Sequence, residues 1–231
     1  MSTIAVIGAH GTIASALIDE LACKHQIIAV SRTHVPSSTN VQCLTVEDYT
    51  EDNIEALAQH IDQGSLDAII VATGFLHDKS YQPEKNLEAL SSSHFLKSME
   101  ANCLVPMLFF KYLIPKLKQH SLTLAVALSA RVGSISDNRL GGWYSYRSSK
   151  AALNMMIKNT AIQLKRQKRQ TCVIALHPGT VFSPLSSPFK KQNSQWQQPQ
   201  QCAQKLVKVL INLELSDSGK IFDHNAKEIQ P

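Results

Sequence analysis

Apolar residues along this chain of 231 residues fall into two alternating kinds of segment. One kind is short and apolar at nearly every consecutive position, at 4–7, 27–30, 41–44, 67–72, 122–128, 172–176 and 221–222. The other is longer and apolar at every third or fourth position, at 12–24, 51–61, 96–117, 146–164 and 200–213. Periodicity assigns the first kind to strands and the second to helices. A strand without a polar face must be covered on both sides, which parallel strands joined by crossover helices achieve. The pattern therefore predicts an α/β fold with a doubly wound parallel sheet. No repeat or composition break divides the chain, so a single domain over 1–231 is expected. From about 182 to 201 the chain turns polar and then glutamine-rich (QNSQWQQPQQ at 192–201), which reads as a mobile loop over the substrate.

The first strand–helix junction reads Gly8-Ala9-His10-Gly11-Thr12-Ile13-Ala14. Glycines at a strand's end let backbone N–H groups approach a pyrophosphate, and the helix that follows adds its positive pole. The same spacing also fits a tight turn that binds nothing. Its position at the first junction of an alternating chain favours a Rossmann-like dinucleotide site. Ala14 and Ser15 are small enough for the helix to pack closely on the strand, and His10 is either a phosphate contact or an ordinary loop residue. The second strand ends in Ser31-Arg32-Thr33, with no carboxylate to accept ribose hydroxyls. An arginine beside hydroxyls suits a 2′-phosphate, so NADP(H) is favoured over NAD(H).

Tyrosine four residues before lysine occurs at Tyr81/Lys85, Tyr112/Lys116 and Tyr146/Lys150. On a helix this spacing puts both side chains on one face, where an ammonium lowers a phenol's pKa and fits it for proton transfer. Pro83 and Pro115 interrupt the first two pairs. Only Tyr146 opens an unbroken helix after a glycine-bearing loop, so Tyr146 and Lys150 are the candidate pair.

Composition narrows the partners. The net charge of +5 is mild, and the dense basic run Lys165, Arg166, Lys168, Arg169 reads as a helix end meeting its dipole, not as a nucleic-acid surface. Five scattered cysteines point to reduced thiols and a cytoplasmic protein. Nine histidines have no metal-like spacing, and no run approaches the about 18 apolar residues of a membrane span. The helices around 98–117 and 146–164 carry more apolar residues than one buried face needs, which predicts a homodimer or homotetramer.

With these motifs in place the chain resembles the short-chain dehydrogenase/reductase family and, within it, the C-factor and sniffer-like carbonyl reductases. The resemblance rests on IGAHGTIA (7–14), GFLHDKSYQPEKNLEAL (74–90), ANCLVPML (101–108), SARVGSISDNRLGGWYSYRSSKAALN (129–154), HPGTVFSPLSSPF (177–189) and SGKIFDHNAKEI (218–229). It implies Tyr146 as general acid/base, Lys150 on the nicotinamide ribose, and Asn102 holding a water in the proton relay. It implies Asp48 near the adenine, and Pro178, Gly179, Val181 and Ser183 near the nicotinamide. Gly8, His10, Gly11, Thr12 and Ile13 would face the phosphates, with Ser31 and Arg32 at the adenosine ribose. The family's Asn-Asn-Ala-Gly is replaced by Val71-Ala72-Thr73-Gly74, where Ala72, Thr73 and Gly74 would border the cofactor.

The family's catalytic serine falls at Ala130. Ser129 beside it should face the other way, because successive strand residues alternate. Ser134 is the candidate replacement; otherwise Tyr146 polarises the carbonyl unaided. Arg131, Trp143, Phe182 and Trp196 are candidates for the substrate cleft. The expected reaction is NADPH-dependent reduction of a ketone, aldehyde or quinone, with a small carbonyl or alcohol as substrate. The rival readings are a non-catalytic dinucleotide-binding sensor and a structural module without cofactor.

Overall fold

A computed structural model describes residues 1–189 and 196–231. Of the loop expected at 182–201, residues 190–195 lie outside the described residues. Seven strands form one sheet: β1 (Thr3–Ile7), β2 (Gln26–Ser31), β3 (Val41–Thr45), β4 (Ala68–Val71), β5 (Thr123–Leu128), β6 (Thr171–His177) and β7 (Ile221–Asp223). Their order is β3-β2-β1-β4-β5-β6-β7 and every pairing is parallel. The doubly wound sheet expected from the apolar runs is thus present.

The helices are α1 (Thr12–Ala22), α2 (Glu51–Gln59), α3 (Ser92–Met99), α4 (Val105–Leu113), α5 (Tyr144–Arg166) and α6 (Pro199–Ile211). Alternation along the strands assigns each side chain to one of two cores. Ala5, Ile7, Ile69, Val71, Ala125, Ala127, Val173 and Ala175 pack on the face covered by α2, α4 and α5. Ile4, Val6, Ala68, Ile70, Val126, Leu128, Cys172 and Ile174 pack on the face covered by α1 and α6. Nearly all of these side chains are buried, which explains why the runs read apolar throughout. On α1 it is Ala14 and Ala16 that pack inward; Ser15, expected to share that role, is exposed.

One helix differs from expectation. The segment read as a single helix over 96–117 begins earlier, at Ser92, and is broken by a π turn at Glu100–Leu104. Pro106 lies on the second residue of α4, and with no N–H it withholds the usual donor from the carbonyl of Asn102 four residues back. A wider turn absorbs this local mismatch, and such turns recur at functional sites.

Candidate active site

Strand order reverses between β1 and β4, and the crevice beyond their carboxyl ends is where open α/β sheets bind ligands. A cavity of about 660 Å³ lies there. Of the expected cofactor residues, Gly8, His10, Gly11, Ser31, Arg32, Asp48, Ala72, Thr73 and Gly74 line it. Thr12 and Ile13 do not line it; they form the first turn of α1 directly behind Gly11. Thr33, read beside Arg32 in the sequence, also lines it, whereas sequence reasoning missed Tyr49, Phe75, Lys97 and Glu100 on its walls. Tyr49 could have been found as an aromatic next to Asp48; the others lacked a pattern of their own.

Local geometry suits a dinucleotide. Gly8 sits at φ +83°, and a Cβ there would come within 3.2 Å of the Thr73 nitrogen, so the turn and the β4 loop touch backbone to backbone. The first turn of α1 follows Gly11 with no side-chain cap and no acidic residue, leaving its positive pole to a ligand. Thr73 Oγ1 is buried with no hydrogen-bond partner among the described residues. Arg32 lies over the Tyr49 ring, 5.4 Å from its centroid, at the place expected for a 2′-phosphate contact. Asp48 Oδ1 accepts from the Thr50 N–H (2.9 Å), Thr50 Oγ1 (2.7 Å) and Asn53 Nδ2 (2.8 Å), and these hydrogen bonds hold its carboxyl below the usual range.

Tyr146 and Lys150 occupy the first two turns of α5 as the spacing predicts, with the ammonium 5.9 Å from the phenol ring centroid. Lys150 Nζ donates to the Leu128 carbonyl at 3.0 Å. A Cβ on Gly74 would lie 3.4 Å from Asn102 Oδ1 and 3.9 Å from Lys150 Nζ, so three chain segments meet at this point. Asn102 Oδ1 accepts from the Phe75 N–H (2.7 Å), while its Nδ2 donates to the Phe75 carbonyl (2.8 Å) and to Ser149 Oγ (3.0 Å). Burial pushes the Tyr146 phenol up to about 12 and the Lys150 ammonium down to about 8. Desolvation therefore outweighs the expected lowering of the phenol by its neighbouring ammonium.

Ser134, the candidate replacement for the serine, is hydrogen-bonded to other segments of the chain. Its Oγ donates to the Gln230 carbonyl at 2.5 Å and accepts from the Asp137 N–H at 3.1 Å, which ties the loop after β5 to the C-terminal tail. Ser129 donates to Asn154 Oδ1 at 2.8 Å in the core beneath α5.

On the far side of the site Gly179 takes φ +78° beneath Gln197 and His224, and Gln197 Nε2 donates to the Pro178 carbonyl at 3.3 Å. Val181 is buried and pairs with Gln197, and Ser183 Oγ is 3.0 Å from Ser186 Oγ. None of these four residues lines the cavity between β1 and β4. Trp143 meets the Tyr146 ring edgewise at 6.1 Å and Phe189 at 5.1 Å, placing an aromatic wall beside the phenol. Phe182 and Trp196 meet edgewise at 6.0 Å. Arg131 pairs with Asp137 at 2.5 Å.

A family model described as short chain dehydrogenase matches residues 2–194. The chain belongs to the short-chain dehydrogenase family. It is thus an enzyme of that oxidoreductase family. It is similar, at 31% identity over 97% of each chain, to 1-hydroxy-2-glutathionyl-2-methyl-3-butene dehydrogenase of Rhodococcus sp. (strain AD45). It is 29% identical over 133 residues to C-signal of Myxococcus xanthus, covering 58% of this chain and 76% of that one. The short-chain dehydrogenase fold is shared over the whole chain with carbonyl reductase Sniffer of D. melanogaster (TM-score 0.86, 19% identity, all of both chains). It is shared equally with an NADPH-bound carbonyl reductase from chicken fatty liver (TM-score 0.85, 20% identity, 100% of this chain and 99% of that one).

Proposed function

We propose that this enzyme reduces a small carbonyl compound with NADPH, Tyr146 giving the proton. The observation that carries the reading is the convergence of Asn102, Lys150 and the Gly74 backbone beside Tyr146, at the end of a cleft lined by Arg32 and free of a carboxylate at the end of β2. A bound nicotinamide would supply hydride. Gly8, Gly11 and the first turn of α1 would hold the phosphates, Asp48 the adenine side, Arg32 the 2′-phosphate, and Lys150 the nicotinamide ribose. Pro178, Gly179, Val181 and Ser183 would border the nicotinamide.

A phenol whose pKa lies near 12 is fully protonated at neutral pH, which suits donation to a carbonyl oxygen in the reducing direction. Lys150, buried yet still largely charged at pH 7, would stabilise the phenolate left behind. Asn102, fixed by three hydrogen bonds in the π turn, would keep a water in line for reprotonation. With Ser134 tied to the tail, Tyr146 polarises the carbonyl alone. Trp143 and Phe189 favour a flat apolar substrate.

The apolar residues left exposed on the π turn and α5, Leu104, Met155 and Ile162, fit a homodimer or homotetramer, and the free cysteines fit the cytoplasm. The test is NADPH consumption over aromatic and aliphatic aldehydes, ketones and quinones, beside Tyr146→Phe. The Rhodococcus relative's name adds a glutathionyl compound to that panel. Loss of turnover in Tyr146→Phe, with NADPH binding retained, supports the reading. Parent and mutant equal in turnover would refute it. NADPH binding without turnover on any of these would favour the non-catalytic sensor, the reading that Ala130 in the serine's place supports.

A further inference from the structure

The catalytic helix α5 begins without a local cap. Its N-cap residue is Trp143, held in the left-handed region at φ 54°, with no side-chain hydrogen bond to the first turn and no acidic residue within that turn. A bulky residue in that region is strained, and four unsatisfied N–H groups open any helix. Something else has to hold the turn that delivers Tyr146.

That something comes from 61 residues earlier in the chain. The carboxyl group of Glu84, only 2% exposed, reaches the start of α5 from the loop after β4. Its Oε2 accepts from the Ser145 N–H at 3.2 Å, and its Oε1 accepts from Ser145 Oγ. The Glu84 carbonyl also accepts from the Trp143 N–H at 2.5 Å, and a Cβ on Gly142 would come within 3.3 Å of it. Glu84 therefore grips both sides of the strained residue, and the next residue after Ser145 is Tyr146.

The carboxyl group is itself held. His94 Nδ1 lies 3.1 Å from Glu84 Oε1, and both side chains are buried. The His94 ring stacks on Tyr81 at 5.1 Å and meets Phe75 edgewise at 6.0 Å. Phe75 is in turn bonded through both its backbone groups to Asn102. A continuous set of contacts thus runs from Asn102 through Phe75, His94 and Glu84 to Ser145.

We infer that Glu84 is a positioning residue for Tyr146: it caps α5 in place of a local residue and sets the phenol in register with Asn102. The inference rests on the proposed reaction. A buried polar cluster removed from chemistry would only add stability, whereas this one fixes the relative placement of two groups that must act on the same proton. Displacing a reacting group by about 1 Å costs on the order of 100-fold in rate.

The test compares Glu84→Ala, Glu84→Gln and Ser145→Ala with the parent, using a carbonyl that the parent reduces. Glu84→Ala is expected to lower kcat by roughly 100-fold with KM and Kd for NADPH within about twofold of the parent. Glu84→Gln keeps an acceptor for the Ser145 N–H and a donor toward His94, so it should recover kcat to within about fivefold of the parent. Near-ultraviolet circular dichroism of Trp143, read in a Trp196→Phe background, should change in Glu84→Ala and return in Glu84→Gln. Equal kcat in folded Glu84→Ala and parent overturns the inference. So does an equal loss of kcat and NADPH affinity, which marks general destabilisation. If Glu84→Ala does not fold, Ser145→Ala decides on the same criteria: a fall in kcat alone supports the role and parent-like kcat overturns it. Failure of the proposed reaction is separately visible, as a parent that reduces no carbonyl while the Trp143 signal still follows the Glu84 substitutions.

Discussion

Lys150 shows how far a residue's behaviour departs from its reference chemistry once it is buried. Its ammonium, pulled down to about 8 from 10.5 by desolvation, loses its proton in a range where an ordinary lysine keeps it. The sign follows directly. Below about pH 8 the charge proposed to support the phenolate and the ribose is present, and above it the charge disappears. Reductive kcat/KM, which reports the free enzyme, should therefore fall as pH rises through about 8; a flat profile to pH 10 would contradict the assignment. Arg32 offers a second residue-scale expectation. A charge-assisted contact to a 2′-phosphate contributes about 1.5–3 kcal/mol, so Arg32→Ala should raise KM for NADPH at least tenfold and leave KM for NADH nearly unchanged. Steady-state kinetics with both cofactors checks this.

Legibility at this scale was uneven, for a physical reason. Tyr146 and Lys150 were readable because one helix carries both, so spacing along the chain equals spacing in the site. Asn102 was found only through the family resemblance, because its partners Phe75 and Ser149 lie 27 and 47 residues away. Ser134 was assigned by proximity in sequence to the missing serine, but the C-terminal tail, 96 residues on, binds its hydroxyl. Glu84 went unnoticed altogether. A glutamate in a polar loop looks solvated until the fold brings Ser145 and His94 against it.

Elements were easier to read than their irregularities. Consecutive apolar residues on the central strands follow from burial on both sheet faces, and each helix's spacing follows from covering one of them. The π turn was invisible to periodicity because the chain is apolar at every position from Cys103 to Phe110, and Pro106 was the available sign. The close approach of the loop after β5 to α5 was equally hidden. A Cβ on Gly133 would sit 2.8 Å from both the carbonyl carbon and the Cβ of Lys150, inside any tolerable contact and partly against backbone. Gly133→Ala should therefore destabilise the fold by about 1–3 kcal/mol and displace Lys150. Urea denaturation gives the first quantity. A kcat loss larger than that of a surface alanine control with equal stability gives the second.

For the molecule as a whole, the exposed apolar side chains form the clearest unfinished surface. Leu104, Met155 and Ile162 are 53%, 60% and 41% exposed, on the π turn and α5. These side chains are the ones assigned to the proposed interface. If the proposed homodimer or homotetramer forms through this face, Met155→Glu should give a smaller species than the parent in sedimentation velocity while leaving NADPH binding intact; a parent that itself sediments as a monomer would refute the proposed oligomer. One sheet runs from Thr3 to Asp223.

That sheet's strand order also governs how the chain must be made. β1 can pair with β2 soon after both leave the ribosome, but its other edge waits for β4, since Ile4 pairs with Ala68. β4 then waits for β5, whose Leu124 meets the same Ala68. At each stage an apolar strand with unpaired backbone is open to the wrong neighbour. The nascent protein should be most prone to aggregation while β1, β2 and β3 have emerged and β4 has not. Its yield in the cell would then depend on chaperone capacity and translation speed before the catalytic helix has been synthesised at all.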